Sequence, residues 1–215
     1  MCSPAPEAAA LIRHQALTLL AVAQNGLSFT EDPFDRKRYE QVRRCGEELL
    51  GLISEGGPER LRAVVAMDSG YMTPKVSVRG AIFDSSERVL LVQERADGCW
   101  TLPGGWCDVL ESPAEAVAKE VREEAGLVVD VDKLVAVVDQ DKQGRGSGRL
   151  PLFHVYKLFF LCRERGRVAP EDTETSAIDW FDVDALPPLS ASVVEDQLHL
   201  MRTHWRKPDL ATVFD

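Results

Sequence analysis

The sequence predicts an α/β fold preceded by a small all-helical module. Three observations carry this. Apolar residues recur at helical spacing before Lys75, the period changes to strand alternation there, and a glycine-rich turn farther on leads into a short helix dense with acids. The 215 residues fit one domain of ordinary size plus a small extra module. We place the helical module over 1–68 and the main domain over 69–215.

In the module, Ile12, Ala16, Leu19, Leu20 and Ala23 set a first helix over 7–25, with Gly26 as its stop signal. A second helix begins near Asp32 and Pro33, carries Tyr39, Val42, Leu49 and Ile53 on one side, and ends before Gly56. A third, shorter helix is expected over 58–66. Such a set makes a thin core, so the module should pack on the main domain or on a second subunit.

In the main domain, Val76, Val78 and Ile82 alternate with Ser77, Arg79 and Ala81 as a first strand. Residues 84–87 look like a turn and 89–92 like a more buried strand, so the pair reads as a hairpin. Strand composition recurs over 134–138 and 153–162, separated by a segment at 141–149 expected to be a mobile loop, and again over 178–181. A closing helix follows over 192–205, with Val194, Leu198, Met201 and Trp205 at helical spacing and Ser192 and Glu195 placed as a capping box.

Composition narrows the function classes. No apolar run approaches the ~20 residues needed to span a bilayer. The first ten residues contain an acid and no basic cluster, unlike a secretory signal, so no membrane association and a cytoplasmic location are expected. The five cysteines form no C-x-x-C pair and are expected to be reduced thiols, packed as small hydrophobes rather than bound to zinc. A formal net charge of −10 argues against extended nucleic-acid partners. An acidic protein still binds phosphates where a metal stands between them.

The chemistry concentrates in 102–127, LPGGWCDVLESPAEAVAKEVREEAGL. Ser112 as N-cap, Pro113 at the first helical position and Glu115 as the returning acid fix where the helix starts. In that register Ala114, Val117, Val121 and Ala125 form the apolar stripe, while Glu120, Glu123 and Glu124 gather on another face. Like charges one turn apart repel by a few tenths of a kcal/mol, which a divalent cation would relieve. The turn Pro103-Gly104-Gly105 lets backbone approach a metal or phosphate closely. An acid-rich helix alone is more often a solvated face. Here the joint spacing is specific: Gly105, five residues, Glu111, seven residues, then Lys119-Glu120-Val121-Arg122-Glu123-Glu124-Ala125-Gly126-Leu127.

That run resembles the Nudix box, G-x5-E-x7-R-E-U-x-E-E-x-G-U, with U an aliphatic residue. One position departs: Lys119 stands where the pattern has arginine, which replaces a planar fork by a point charge and should loosen bidentate anchoring of a neighbouring carboxylate. The segments LLAVAQNGLSFTEDPFDRKRYEQVRR, VRGAIF, WTLPGGW and FHVYKLFFLC resemble bacterial Nudix hydrolases with a helical N-terminal module, among them ADP-ribose and CDP-choline pyrophosphatases.

The resemblance implies an αβα sandwich with a mixed sheet and hydrolysis of the pyrophosphate of a nucleoside diphosphate linked to another moiety. It implies Mg²⁺ or Mn²⁺ held by Glu120, Glu123 and Glu124, with the Gly105 carbonyl as a further ligand, and a homodimer. The proton acceptor in such enzymes is a box glutamate or an acid on a later loop, for which Glu174 is the candidate beside Glu123 and Glu124; a solvated loop acid is an equal reading of Glu174.

Outside the box, Arg79 reads equally as a phosphate-binding guanidinium or a strand arginine facing water. Trp100 and Trp106 flank the glycine turn, where an indole stacks on a base or packs in the core. Tyr156 and Lys157 point to opposite faces of one strand, so one of them at most faces a given pocket. His154 shares Tyr156's face and reads as structural, and Asp108 and Glu111 read as acids near a helix N-terminus. Two other function classes fit less well. A nucleotide sensor without turnover would not need all three glutamates, and trimming of RNA ends sits poorly with the negative charge.

Overall fold

The computed structural model of the protein describes residues 6–53, 69–142, 153–171 and 174–215. In chain order the elements are α1 (Pro6–Phe29), α2 (Pro33–Gly51), β1 (Lys75–Ile82), β2 (Val89–Glu94), β3 (Trp100–Thr101), α3 (Pro113–Ala125), β4 (Leu127–Asp139), β5 (Val155–Arg167), β6 (Thr175–Phe181), α4 (Glu195–Arg206) and β7 (Val213–Phe214). They fall into two compact units. One comprises the described residues up to Pro74 with Phe153 and His154, and the other comprises 75–142 and the described residues from Val155 onward.

In the helical unit, Ala16, Leu20 and Leu50 are buried against one another. Asp32 caps α2 by accepting from the backbone N–H groups of Phe34 and Asp35, with Pro33 at the first helical position, as its sequence predicts. Helix α1 does not stop at Gly26 but runs through it to Phe29. A Cβ on Gly26 would lie 2.4 Å from the Tyr39 ring, so this glycine admits the neighbouring helix rather than ending its own. The helix expected over 58–66 and most of the loop expected over 141–149 lie outside the described residues.

The second unit is layered by the alternation of its strands. Along β5, Phe159 and Leu161 join the apolar cluster of Leu198 and Met201 from α4, whereas Phe160 and Cys162 join that of Val117 and Val121 from α3. Helices therefore cover opposite faces of one mixed sheet, ordered β1-β5-β4-β7, in which β1 runs parallel and β4 antiparallel to β5. This is the αβα arrangement expected. A second, antiparallel sheet is ordered β3-β2-β6.

Several local expectations change. Strand β1 is buried on both faces from Ser77 to Ile82, because both sides of the sheet are covered. Its hairpin with β2 shrinks to one bridge, Phe83 to Val89, beyond which the strands enter different sheets. Helix α4 starts after Val194, and the Gln197 side chain accepts from the Val194 N–H at 3.0 Å. Ser192 is used instead by Thr101 and Lys157. Of the cysteines described, all free, only Cys162 is fully buried and Cys45 is exposed.

Candidate active site

The glycine turn is stitched to β1 like an additional strand. Gly80 N–H donates to Pro103 O, Val78 N–H to Gly105 O and Cys107 N–H to Val76 O, at 2.9, 2.9 and 3.0 Å. Gly104 adopts φ 147°, and a Cβ there would lie 2.1 Å from Val78 O, so no side chain fits. A Cβ on Gly105 would lie 2.6 Å from Glu120 Oε1, which shows how closely the α3 carboxylate rests on the turn.

Helix α3 has the cap its sequence predicts: Ser112 and Glu115 form a reciprocal capping box, and Gly126 ends the helix in the left-handed region at φ 65°. Its buried stripe is Ala116, Val117, Val121 and Ala125; Ala114 is exposed, being in the first turn and clear of the sheet. The stripe turns Glu120 and Glu124 onto the glycines. Glu124 Oε2 accepts from Gly104 N–H at 2.8 Å, while the Thr175 hydroxyl donates to the Glu124 carbonyl at 3.5 Å. Burial pushes the Glu120 carboxyl up; Glu123 and Asp108 push the same way, against Lys119 and Arg79.

A carboxylate disfavoured as an anion by burial and by a like-charged neighbour fits a hard divalent cation. The Gly105 carbonyl already accepts from Val78 but keeps its second lone pair for a ligand role.

Lys119 acts as a point charge: Nζ donates to Asp108 Oδ2 at 2.8 Å and to Glu111 Oε2 at 2.9 Å, joining two carboxylates with one ammonium. Those hydrogen bonds raise its pKa. Asp108 and Glu111 thus have a structural role as expected, but through Lys119.

Arg79 is buried, 9% exposed, so the water-facing reading fails. Its Nη1 donates to the Gly104 carbonyl, which ties the guanidinium to the turn that also holds Glu124. Burial lowers its pKa, opposed by the charges of Glu124, Glu94 and Glu120. Lys157 is buried too and donates to the Ser192 carbonyl; desolvation and the charge of Arg79 push it down to about 7 against Glu94.

Trp106 directly follows the turn and is 53% exposed, whereas Trp100 packs edge-on to Phe181 at 4.6 Å beside the α4-side core. Tyr156 is exposed, as expected from its opposite pointing to Lys157. Glu174 is exposed at the start of β6; its carbonyl accepts from Arg95 N–H at 2.8 Å, and its neighbour Thr175 touches α3. The structure thus gathers Gly105, Glu120, Glu124 and Arg79, with Glu123 beside Glu120 and Lys157 beyond Arg79.

Sequence reasoning missed Glu94. It ends β2, and Oε2 accepts from the Ser190 hydroxyl at 2.6 Å. An acid closing a strand looks like a solvated turn residue, and its hydroxyl partner lies 96 positions away.

A family model described as the NUDIX domain matches residues 73–203, and one described as a UDP-X-like N-terminal oligomerisation domain matches residues 12–65. A Bacillus subtilis protein provisionally named an ADP-ribose pyrophosphatase is 37% identical, with 94% of this chain and 95% of that one covered. The crystal structure of a UDP-X diphosphatase superposes with a TM-score of 0.60 at 30% identity, covering 96% of this chain and 99% of that one. The crystal structure of an ADP-ribose pyrophosphatase from Streptococcus suis gives a TM-score of 0.59 at 43% identity, covering 66% and 100%.

Proposed function

This chain belongs to the Nudix hydrolase family, and from that premise we propose how its own residues carry out the reaction. The enzyme hydrolyses the pyrophosphate bond of a nucleoside diphosphate linked to another moiety. The observation that carries the site assignment is the seating of Glu120 and Glu124, from one helix, against Gly105 and Gly104. Glu120, Glu123 and Glu124 would hold Mg²⁺ or Mn²⁺, with the Gly105 carbonyl as a further ligand. When bound, the cation supplies charge neutralisation at the pyrophosphate and orientation for the attacking water.

The protein's own groups do the rest. Arg79 offers a fixed guanidinium to a phosphate oxygen, preorganised by its bond to Gly104. Trp106, exposed beside the turn, offers an aromatic face to the base. Glu174, Glu123 or Glu124 takes the proton of the water. Adjacency of Glu174 to Thr175, which reaches the Glu124 carbonyl, supports the first; the base is the one whose change to glutamine removes the acidic limb of the kcat profile.

ADP-ribose is the favoured substrate, on the strength of the relatives so named, with CDP-choline next. The protein is read as a homodimer through its helical unit. The oligomerisation-domain match supports this, as do the exposed Leu11, Phe29 and Phe34 of that unit.

A panel of nucleoside diphosphate derivatives and a short RNA, incubated with Mg²⁺, Mn²⁺ or chelator, tests the reading. Two phosphorylated products from the derivatives, only with metal, are expected. No metal-dependent product from any of them would overturn it. Isotopically labelled water then shows which phosphorus is attacked.

A further inference from the structure

The main sheet holds a second cavity beyond the end of β1. That strand leaves the sheet after Ile82, opposite Cys162, while β5 runs on to Arg167 paired with β4 alone. The space so opened is a cleft of about 550 Å³, walled by Phe83 and Leu161, by His204 and Trp205 from the last turn of α4, and by Leu210 of the tail. Such a volume lies in the range of small-molecule sites, roughly 300–1,000 Å³. The cleft shares no wall residue with the candidate active site. Lys157, level with Ser77, is about 13 Å from Leu161 along the extended strand.

Most of the charge around this cleft is already matched. Arg163 pairs with Asp130 and Asp132 at 3.2 and 2.8 Å, Arg165 pairs with Asp130, and Glu164 pairs with Arg167 at 2.7 Å. Lys133, also in the wall, is the exception. Its Nζ donates to the Pro208 carbonyl at 2.6 Å and to the Leu210 carbonyl, and among the described residues no carboxylate pairs with it. An ammonium has three protons, so one donor and a full positive charge are left over.

A second polar group is unmatched in the same wall. His204 is 2% exposed, and its Nδ1 is buried with no hydrogen-bond partner among the described residues. Burial and the charge of Lys133 push its pKa down, so the ring is neutral near pH 7. Leaving such a nitrogen unbonded is costly for folding. The remaining wall is apolar and aromatic: the Phe83 and Trp205 rings lie 5.4 Å apart with planes inclined by 34°, a surface on which a flat molecule packs well. One uncompensated cation, one neutral imidazole and an aromatic surface suit a ligand that carries an anionic group on a flat apolar body. A cationic ligand would meet Lys133 and find Asp132 and Glu164 already taken.

We propose that this cleft is a second binding site, for a small aromatic anion. Lys133 takes the anionic group, Trp205 and Phe83 take the ring, and His204 bonds a polar edge of the ligand. The site goes beyond the hydrolase reading and does not depend on it. Two sources share the chemistry, an aromatic carboxylate and a nucleoside monophosphate such as hydrolysis of an adenosine diphosphate derivative releases.

Calorimetric titration of the full chain with AMP and, separately, with indole-3-carboxylate, both in the presence of chelator, is the test. At least one should bind, and Lys133→Met should weaken that binding by about tenfold or more, as loss of a hydrogen bond to a charged group does. Leu210→Glu is a second variant should Lys133→Met not fold. Leu210 is 39% exposed, and a carboxylate there would compete for Lys133, again weakening binding by about tenfold or more. Glu124→Gln, in the other site, should leave the affinity within about twofold. Binding of AMP alone assigns the cleft to nucleotides, and binding of the carboxylate assigns it to aromatic acids. No binding of either, or wild-type affinity in the Lys133 and Leu210 variants, overturns the proposal. So does binding that Glu124→Gln abolishes, which would place the ligand at the catalytic helix. A chain that cleaves no diphosphate yet binds a ligand through Lys133 keeps this site while the hydrolase reading falls.

Discussion

Two groups of charge border helix α3, and they are treated differently. On one side Lys119 closes onto Asp108 and Glu111, each within 2.9 Å. On the other, Glu120 and Glu123 have no ion-pair partner among the described residues, and buried Arg79 stands near without closing a pair. The first group is complete as the protein folds, and the second waits for what it binds. Pairing at the surface contributes little stability, at most about 1 kcal/mol per pair. Charges left open in a partly buried place are stabilised chiefly by a ligand, and their removal should register in activity and metal response rather than in folding.

The largest expected effect falls on the side that faces the glycine turn. Glu124→Gln should lower kcat/KM by more than ~100-fold, since it touches the site where pyrophosphate charge develops. The thermal midpoint without metal should stay within a few degrees, while the rise in midpoint that Mg²⁺ gives the wild type by mass action should shrink. Calorimetric scans with and without Mg²⁺ check this, and a variant with full activity would remove Glu124 from the site.

Next is Gly104→Ala, which forces a methyl into Val78 O at a left-handed φ. It should destabilise by about 3 kcal/mol or more, as strain and displaced hydrogen bonds combine, measured by urea unfolding.

A third prediction uses Lys157, whose folded pKa of about 7 lies below its ordinary value of 10.5. Between those pH values the unfolded chain binds the extra proton, so stability should rise with pH, by up to about 1.4 kcal/mol per pH unit. Below pH 7 both states are protonated and the slope vanishes. Lys157→Met should flatten the rise, and identical pH dependence in the two proteins would show that the amine is not buried as described.

The smallest effect sharpens the closed side. Lys119→Met should cost about 1 kcal/mol or less and lower kcat modestly by loosening the loop that Asp108 and Glu111 anchor. Lys119→Arg should restore both, and equal denaturation curves and rates for all three proteins would show the clamp to be idle.

Legibility in the sequence followed the range of the interactions. The α3 cap was readable because Ser112 and Glu115 are three residues apart, and the acid cluster because it occupies little more than one turn. The hairpin of β1 and β2 was misread since turn chemistry is local, while the true partner of β1 is β5, brought in by sheet order. The Ser192 and Glu195 cap failed for a similar reason: Ser192 is claimed by Lys157 and Thr101, 35 and 91 positions away. Arg79 could not be assigned from alternation, because that pattern tells two faces apart without telling whether both are covered.

The missing methyl at Gly105 has a consequence for the site it borders. A β-carbon there would lie 2.6 Å from Glu120 Oε1, so any side chain at this position obliges the carboxylate to turn away from the bend. A carbon at position 105 would push that acid off the bend, so replacement of this glycine should be felt in the grip on the cation before it is felt in folding.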